Sequence, residues 1–350
     1  MVCMSLEQEI KDQALGLGFD AVGITDTSPL GREHIEQFER WLRSGCAGRM
    51  EYMHRNLEKR IHPAQLRKGA QSVIVVALNY RPPRPMADSA SSDSSQTHTP
   101  TGGLLDTVPG SASHPGAPQI GNPQSAIRNL PAEPVGHVAL YARYEDYHLF
   151  IKALLRELAG FICVRTRQQD RFKICVDSAP IAEKALAVRA GLGFIGKNHL
   201  LIHPQLGPQI LLGELLTTVP LQPDRPTKGA CLDCNRCVEA CPTGALRSDG
   251  LLDATRCISY LTQYGPEDAP VGSTGNWLFG CDECLCACPF HKKAPACANR
   301  RFRFYPERAR LSLQDLVELT PEAFEARFHD SPIKRLGLDL LKRNAQRCLG

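Results

Sequence analysis

The sequence predicts an α+β fold in which a larger first part is followed by a small cysteine-rich module and short C-terminal helices. Hydrophobic patterns typical of helices and strands alternate irregularly over about the first 220 residues. Cysteines are concentrated between Cys231 and Cys288, and a helical pattern returns in residues 312–346. The 350 residues are enough for two domains, or for one large domain with an appended module.

The individual elements follow from the spacing of apolar residues. Leu6, Ile10 and Ala14 recur at helical spacing, which predicts an amphipathic first helix. The β-branched run SVIVVALNY predicts a buried strand. Pro180 stands where a helix tolerates proline, in its first turn. In chain order, the predicted elements are helix 5–18, strand 20–25, helix 32–44, strand 72–80, strand 137–143, helix 146–159, strand 171–176, helix 180–190, strands 200–203 and 209–217, and two short helices within 312–346.

One long segment departs from this pattern. Residues from about 82 to 136 are rich in Pro, Ser, Gly and Thr and contain few large apolar residues. Such a segment cannot bury enough surface to offset the entropy of ordering it, so we predict a disordered surface insertion. The predicted division is therefore a first domain over 1–226 that contains the insertion, a cysteine-rich domain over 227–295, and terminal helices over 296–350.

Composition narrows the class of protein. Hydrophobic residues make up 43% of the chain, and the net charge of +4 permits a nucleic-acid partner without indicating one. The chain has 15 cysteines, which favours a reducing compartment. The N-terminus lacks the apolar core of a signal peptide, and no apolar run reaches the roughly 18 residues of a membrane span. We therefore expect a soluble, cytoplasmic protein with no membrane partner.

The cysteine spacing indicates iron–sulfur clusters. CLDCNRCVEACP reads C-x2-C-x2-C-x3-C-P, the signature of bacterial ferredoxins, in which the fourth cysteine binds the other of two clusters. A second group, one isolated cysteine and the run CDECLCACP, completes a set of ligands for two [4Fe–4S] clusters. The predicted ligands of cluster one are Cys231, Cys234, Cys237 and Cys288. Those of cluster two are Cys257, Cys281, Cys284 and Cys241.

The alternatives to this assignment are a zinc ribbon and a disulfide framework. Zinc sites usually pair one C-x2-C with a distant second C-x2-C, which this spacing fits poorly. Cys286 breaks the phase of the second run and is predicted to be a spare thiol. The same prediction covers the cysteines outside the module, which are Cys3, Cys46, Cys163, Cys175, Cys297 and Cys348.

A glycine motif in residues 191–196 invites a nucleotide-binding interpretation. The segment GLGFIG matches G-x-G-x-x-G, which indicates a dinucleotide site only when a strand precedes it and a helix follows. Here a predicted helix precedes it and a strand follows, so we reject that interpretation. The glycines instead end the helix and allow close backbone approach, with Lys197, Asn198 and His199 facing whatever lies there.

Several residues are candidates for acid–base chemistry or anion binding. Asp177 follows a predicted strand, where catalytic side chains are common, but from its position it could equally cap the next helix. Asp146 and His148 could act together or only bond locally at a helix start. The basic stretch of Arg55, Arg60 and His62 could bind phosphate or be a solvated surface.

Taken together, the cluster spacing and the segments VDSAPIAEKALAVRAGLGFIGKN and RCISYLT resemble the epoxyqueuosine reductase family. GRMEYMHRNLEKRIHP, ARYEDYH and LGELLTTVPL extend the resemblance over nearly the whole chain outside the insertion. The resemblance implies a cobalamin-binding α/β-type first domain, with two [4Fe–4S] clusters that pass electrons to cobalamin. It also implies that the chain reduces epoxyqueuosine to queuosine at the wobble position of tRNA with a GUN anticodon.

The resemblance also implies roles for single residues. Asp177 matches the family's proton donor, and we expect burial beside the cofactor to raise its pKa and keep it protonated. Arg60, Asn198, His199 and Ser259 are expected near the corrinoid together with Asp177. The implied partners are the modified tRNA and an external low-potential electron donor, acting on a monomeric enzyme. Candidate phosphate contacts are Lys292, Lys293, Arg300, Arg301, Arg303, Arg308 and Arg310.

Two other functions remain open at this point. A corrinoid-dependent reductive dehalogenase would also combine a corrinoid with two clusters, although the export signal of its respiratory members is missing here. An electron-transfer protein would need only the clusters, and would leave the first 220 or so residues without a role.

Overall fold

The structure is a computed structural model that describes residues 4–82, 134–167, 172–266 and 270–350. The described residues form one compact unit. The helices are α1 (Leu6–Gly16), α2 (Arg32–Arg43), α3 (Glu51–His54), α4 (Leu57–Ile61), α5 (Tyr147–Thr166), α6 (Glu183–Arg189), α7 (Arg236–Glu239), α8 (Ile258–Tyr264), α9 (Glu283–Cys286), α10 (Pro289–Lys293), α11 (Leu313–Glu318), α12 (Pro321–Phe328) and α13 (Leu338–Leu349). The strands are β1 (Ala21–Asp26), β2 (Ser72–Asn79), β3 (Val135–Val138), β4 (Lys173–Cys175), β5 (Phe194–Ile195), β6 (Leu201–Ile202), β7 (Ile210–Thr217), β8 (Trp277–Phe279) and β9 (Leu311–Ser312).

The central sheet has the strand order β1-β2-β7-β4, and every neighbouring pair is antiparallel. All eight residues of β2 are buried, as expected for a strand covered on both faces. One face packs on α1 and α5 through residues such as Ile74, Leu155 and Leu215. The other face packs on α6 through Val75, Leu186 and Leu216 among others. The sheet is therefore a rigid platform with helices on both sides.

A second, smaller sheet supports the C-terminal part of the chain. Its strand order is β8-β3-β9, and the core beneath it is built largely by α11, α12 and α13. Three helices thus stand where two were predicted. Thr320 accepts a hydrogen bond from the backbone N–H of Ala323 and Pro321 begins α12, so a new helix starts there. Gly337, at φ +85°, precedes α13.

Two other predicted elements are shorter in the structure. The strand predicted over 137–143 ends at Val138, and a 3₁₀ helix follows over Leu140–Arg143. The backbone N–H of Leu140 donates a hydrogen bond to Asp282 at 2.6 Å, so this N–H cannot pair with a neighbouring strand. The helix predicted over 180–190 begins only at Glu183, because the chain before it bends to form the loop that carries Asp177.

The remaining predictions on the fold have mixed outcomes. The helices and strands predicted over 5–18, 20–25, 32–44, 72–80 and 209–217 are confirmed within a few residues. The predicted insertion falls, except for its two ends, outside the described residues. Cys3 also lies outside them. Among the described helices, none is long and apolar enough to cross a membrane.

Candidate functional site

Asp177 lies in the loop between β4 and α6, two residues beyond the end of the strand. Its backbone has φ +55°, a left-handed conformation that is uncommon for a residue other than glycine. Its side chain is 63% exposed, and its Oδ2 accepts hydrogen bonds from the Tyr147 hydroxyl at 3.1 Å and from His148 Nε2 at 3.3 Å. Asp177 does not cap α6, so the alternative of a purely structural capping role is wrong.

His148 links two carboxyl groups. Its Nδ1 lies 2.6 Å from Asp146 Oδ1, and its Nε2 faces Asp177. Asp146 also caps α5 by accepting the backbone N–H of His148 at 3.0 Å, so the predicted local bond is confirmed. Burial lowers the pKa of His148, but the hydrogen bonds to Asp146 and Asp177 outweigh burial and raise it. The imidazole therefore lies between two carboxylates, which favour its protonated form.

These contacts shift the pKa of Asp177 in the direction opposite to the one expected from the sequence. The hydrogen bond with His148 lowers the pKa of Asp177, and it outweighs the opposing effect of burial; the His148 charge and the Tyr147 hydroxyl lower it further. These contacts therefore favour the ionised form of Asp177, and its two neighbouring proton donors are the Tyr147 hydroxyl and His148. The expectation that burial would keep Asp177 protonated did not allow for these two donors.

Behind Asp177 lie two glutamates, of which Glu183 is half-buried and Glu214 is fully buried. Glu183 Oε1 accepts the backbone N–H of Asp177 at 2.6 Å. Glu214 projects from β7 opposite Cys175, is fully buried, and has no hydrogen-bond partner among the described residues for either carboxyl oxygen. Burial and the charge of Asp177 raise the pKa of Glu183 to about 7. Burial and the charge of Glu183 raise the pKa of Glu214 as well, so this pair holds at least one proton near neutral pH.

Asp177 opens into a cleft of about 410 Å³. Its walls combine aromatic and aliphatic side chains with polar and charged ones, and more of the exposed lining surface is polar than apolar. The lining residues are Tyr141, Tyr147, His148, Asp177, Gln263, Tyr264, Phe279, Pro332, Arg335, Leu336 and Leu340. At its rim, Arg335 Nε lies 3.5 Å from Asp146 Oδ2 and adds a positive charge.

The residues expected near a corrinoid lie around this region but do not line the cleft itself. Arg60 stands over the ring of Tyr52 at 6.0 Å, and Tyr52 in turn contacts Tyr264. The Nε atom of Arg60 is buried without a hydrogen-bond partner among the described residues. An unpaired buried donor of this kind calls for an acceptor, which a bound cofactor rich in amide and phosphate oxygens can provide.

The other three expected contacts lie next to the cysteine-rich module. Asn198 is buried and donates to the carbonyl oxygen of Cys284 at 3.5 Å. His199 has φ +58°, and its carbonyl oxygen accepts a hydrogen bond from Lys184 at 2.6 Å. Ser259 lies in α8, and its carbonyl oxygen accepts from the Gln263 side chain at 3.0 Å.

The four cysteines predicted for cluster one surround a small cavity. The cavity measures about 50 Å³ and is lined by Asn198, Ile202, Cys231, Cys234, Cys237, Cys288, Pro289 and Phe290. The backbone N–H of Lys197 donates to Cys231 Sγ at 3.4 Å, as amides commonly do around cluster sulfurs. The long-range pairing of one C-x2-C-x2-C run with a cysteine 51 positions later is thus present in the fold.

The four cysteines predicted for cluster two also lie near one another. Burial and the nearby Cys257 raise the pKa of Cys281 to about 12. Burial raises the pKa of Cys284, and Cys281 and Cys257 add to it. Burial and the nearby Cys241 likewise raise the pKa of Cys257. Cys286, by contrast, is exposed and belongs to neither group.

The arrangement of the cysteines also bears on the two alternatives to iron–sulfur clusters, a zinc site and a disulfide framework. Within residues 4–82, 134–167, 172–266 and 270–350, no group of three or more His, Cys, Asp or Glu side chains is arranged to hold a single metal ion. The cysteines in those ranges are all free thiols. Thiols spread around a cavity fit a cluster with several metal corners better than one zinc ion.

The rejected glycine motif has the predicted surroundings. Helix α6 precedes it, β5 lies within it and β6 follows it, so it lacks the strand-before, helix-after order of a dinucleotide-binding unit. Gly191 and Gly193 have φ +82° and +148°, and a Cβ on Gly193 would lie 2.2 Å from the carbonyl oxygen of Ile202. The glycines therefore allow close backbone packing.

Sequence reasoning missed four residues of the site. Tyr147 donates to Asp177, Glu183 holds the Asp177 backbone, Glu214 lies behind them, and Arg335 reaches Asp146 from the C-terminal part of the chain. A glutamate in the otherwise apolar strand LLGELLT was a visible signal for Glu214. No local pattern marked the other three.

Comparison with known proteins agrees with this site. Residues 230–291 match the family described as a 4Fe-4S double cluster binding domain, close to the predicted module. Residues 119–178 match the family described as Epoxyqueuosine reductase QueG, DUF1730. The epoxyqueuosine reductase of Leadbetterella byssophila is 34% identical over 340 residues, which cover 96% of each chain. That of Vibrio cholerae is 31% identical over 342 residues, 97% of this chain and 81% of its own.

Solved structures give the same result. An epoxyqueuosine reductase solved with an epoxyqueuosine-modified tRNA-Tyr stem loop is 28% identical, with a TM-score of 0.79 over 98% of this chain and 80% of its own. The enzyme from Bacillus subtilis, solved with its catalytic aspartate loop swung out of the active site, is 27% identical, with a TM-score of 0.77 over 98% and 81%. On the identity and coverage of these relatives, the chain belongs to the epoxyqueuosine reductase family.

Proposed function

We propose that this chain reduces epoxyqueuosine to queuosine at the wobble position of tRNA with a GUN anticodon, the last step of queuosine biosynthesis. One observation carries the proposal: an exposed carboxyl group, held by His148 and Tyr147, opens into a cleft beside a double-cluster module. The relative solved with a modified tRNA stem loop supports the same substrate class.

The reaction sets clear chemical demands. Converting an epoxide to an alkene takes two electrons and two protons, and the epoxide oxygen leaves as water. An alkoxide is a very poor leaving group near neutral pH, so the oxygen must be protonated as it departs. A positioned general acid contributes roughly 10²–10⁴ in rate to such a step.

Asp177 is the group proposed to face the departing oxygen. Because it is ionised in the structure, its proton must come from the imidazolium of His148, to which it is already hydrogen-bonded. Asp146 holds the far side of the imidazole and favours its charged form. As negative charge grows on the oxygen, a proton can pass from His148 Nε2 to Asp177 and on to the substrate, and the Tyr147 hydroxyl keeps the carboxyl group in place.

The cysteines are proposed to hold two [4Fe–4S] clusters as the spacing predicts. Cluster one takes Cys231, Cys234, Cys237 and Cys288. Cluster two takes Cys257, Cys281, Cys284 and Cys241. Each cluster thus draws three ligands from one part of the module and one from the other, which ties the two parts together.

Cobalamin is proposed as the acceptor of these electrons. Arg60, Asn198, His199 and Ser259 would hold it beside Asp177, and the unpaired Nε of Arg60 supports this placement. When bound, cobalamin supplies a cobalt centre that accepts two electrons one at a time. Burial and the charge of Lys184 lower the pKa of His199, so its imidazole would meet the cofactor uncharged.

The tRNA contacts are proposed from the exposed basic residues near the C-terminus. Arg308 is removed from this set because it is buried and its guanidinium lies 2.6 Å from Asp330. The exposed members are Lys292, Lys293, Arg300, Arg301, Arg303 and Arg310. Contacts of this kind would make the affinity for tRNA fall steeply with salt. We further propose that the enzyme is a cytoplasmic monomer that receives electrons from an external low-potential donor.

The test combines metal content with turnover. Protein purified without oxygen from cells supplied with cobalamin should contain about eight irons, as two cubane clusters require, and one cobalt per chain. With a chemical reductant it should remove one oxygen atom from an epoxyqueuosine-modified stem loop, as measured by mass spectrometry. Full iron without cobalt, even after reconstitution, would instead indicate an electron carrier. Full cofactor loading with turnover of an organohalide but not of the stem loop would indicate a dehalogenase.

A further inference from the structure

The two cysteine groups differ in their relation to the cleft. Helix α8 begins immediately after Cys257 and brings Gln263 and Tyr264 to the cleft wall. Phe279, two residues before Cys281, lines the same cleft. Cluster two is therefore the one next to the site of reduction. The lining of the cluster-one cavity includes Asn198 but none of these cleft-wall residues, and Leu232 in its ligand loop is exposed to solvent, which favours cluster one for electron entry.

The loop over cluster one carries an apolar side chain held out toward solvent. Leu232 is 80% exposed, and its backbone has φ +47°. Lys197 Nζ fixes this conformation by donating to the carbonyl oxygen of Leu232 and to the side chain of Asn235, both at 2.8 Å. A left-handed conformation is strained for a residue such as leucine, which has a Cβ and no polar group to bond locally. The loop is thus built to present an apolar tip directly above the cluster.

Positive charge surrounds this tip. We call the entry patch the set of exposed residues Lys197, Lys228, Leu232, Asp233, Arg236, Glu239, Lys292 and Lys293. Five of its members are basic and two are acidic. Among the described residues, none of its charged side chains forms an ion pair within the structure, so no carboxylate neutralises its basic groups; Lys197 alone is held by the two hydrogen bonds to the loop. Lys292 and Lys293 end α10, which starts at the cluster-one cysteine Cys288.

We propose that the entry patch is the docking face for a small acidic protein that carries one electron at a time, of the flavodoxin or ferredoxin kind. The inference rests on the proposed function and adds the class of its electron donor. In each encounter, one electron passes from the reduced carrier to the cluster at Cys231, so the carrier is oxidised and the cluster reduced by one electron. No atoms are transferred, and two encounters supply the two electrons of one turnover.

The chemistry of the patch matches what such encounters need. Redox partners meet through small, weak interfaces in which opposite charges raise the association rate more than the affinity. The apolar tip at Leu232 gives close contact over the cluster once charge has oriented the two proteins. RNA fits less well, because residues 228–236 contain no aromatic side chain on which a base could stack.

The experiment measures reduction of the clusters alone, by stopped-flow absorbance, in the enzyme with both clusters loaded. The donors are a reduced acidic ferredoxin and, separately, a reduced flavodoxin. At low ionic strength, Lys228→Glu and Lys292→Glu should each slow the second-order rate about tenfold, and the difference should shrink at high salt. Leu232→Ser should slow it at all salt concentrations. Lys68→Glu, which makes the same charge change outside the patch, should leave the rate unchanged.

Several outcomes are decisive. A small neutral photoreductant should reduce every variant at the wild-type rate; a variant that fails this has a damaged cluster and is replaced by Lys293→Glu. The proposal is wrong if the patch variants behave like Lys68→Glu with both protein donors. It is also wrong if they keep the donor rate but weaken binding of the tRNA stem loop, which would assign the patch to RNA. Normal cluster reduction without stem-loop turnover would contradict the proposed function instead.

Discussion

The chemistry proposed at Asp177 depends on a left-handed backbone conformation that is unfavourable for most residue types. Its φ of +55° is tolerated by Asp and Asn better than by bulkier residues, because their short polar side chains can bond locally. The conformation is held by Glu183 at the backbone and by Tyr147 and His148 at the side chain. One relative, the enzyme from Bacillus subtilis, was solved with its own catalytic aspartate loop swung out of the active site.

We predict that Asp177→Asn abolishes turnover but leaves iron and cobalt content unchanged. Asparagine keeps the size of the side chain and tolerates the left-handed backbone, but it cannot accept and release the proton. The rate of a single turnover of the modified stem loop should fall by roughly 10²–10⁴. Ser178→Ala, the neighbouring exposed position, is the control and should retain most activity. Reduction at the wild-type rate by the asparagine variant would remove Asp177 from this role.

Asp146→Asn should shift the pH dependence of the reaction. Asparagine still caps α5, so the helix should form normally. The charge of Asp146 helps to raise the pKa of His148, so its loss should lower that pKa. Activity that needs a protonated His148 is full below this pKa and is lost as the pH rises through it. The basic limb of kcat/KM should therefore move to lower pH; an unchanged limb would mean that His148 does not supply the proton.

At the scale of elements, the site is made where β7, β4 and α6 meet. Strand β7 pairs with both β2 and β4, and it places Glu214 opposite Cys175, two residues before Asp177. Helix α6 packs on the same face of the sheet and begins with Glu183. Antiparallel register and helix packing thus bring three carboxyl groups together from three segments. This concentration of charge stabilises a proton near the catalytic loop and costs folding stability.

Glu214→Gln should reduce the dependence of stability on pH. A carboxyl group with a raised pKa contributes fully below its unfolded value and loses that contribution as the pH rises through the folded value, which is about 7 for Glu183. Wild-type stability should therefore fall between about pH 5 and 8 by roughly 1–3 kcal/mol. The variant should show less of this fall in thermal melts, whereas Glu239→Gln, an exposed control, should match wild type. Parallel pH curves for all three proteins would show that the pair carries no such coupling.

At the scale of the whole molecule, the cysteine-rich module connects parts of the chain that share no sheet. Asn198 reaches Cys284, Trp41 of α2 donates to the carbonyl oxygen of Leu252 at 2.7 Å, and Phe194 packs edge-on against Phe290. The module therefore sits on the platform of the central sheet and contributes one wall of the cleft. The predicted cluster ligands and the cleft at Asp177 both belong to one compact unit of the described chain.

Cys288→Ser should remove cluster one and lower the melting temperature. Cys288 supplies the ligand that joins the run 231–237 to α10, so its loss should cost about four irons per chain, one cubane. A cluster that binds only the folded state adds to stability, and its removal takes that contribution away. Iron analysis and thermal melts should show both effects. Cys286→Ser, two positions earlier, should keep all the iron, and equal losses in both variants would overturn the ligand assignment.

The sequence by itself determined the cluster chemistry and the main helices and strands. These features are written in short-range patterns, C-x2-C spacing and hydrophobic period, each of which acts over a few residues. The catalytic role of Asp177 was implied by resemblance to the family, and it stays a prediction. Only the tertiary structure decided the protonation of Asp177, the late start of α6, and the burial of Arg308 against Asp330. Each of these depends on groups that are far apart in the chain and come into contact only after folding. The free energy of burying these groups therefore has no local signature in the sequence.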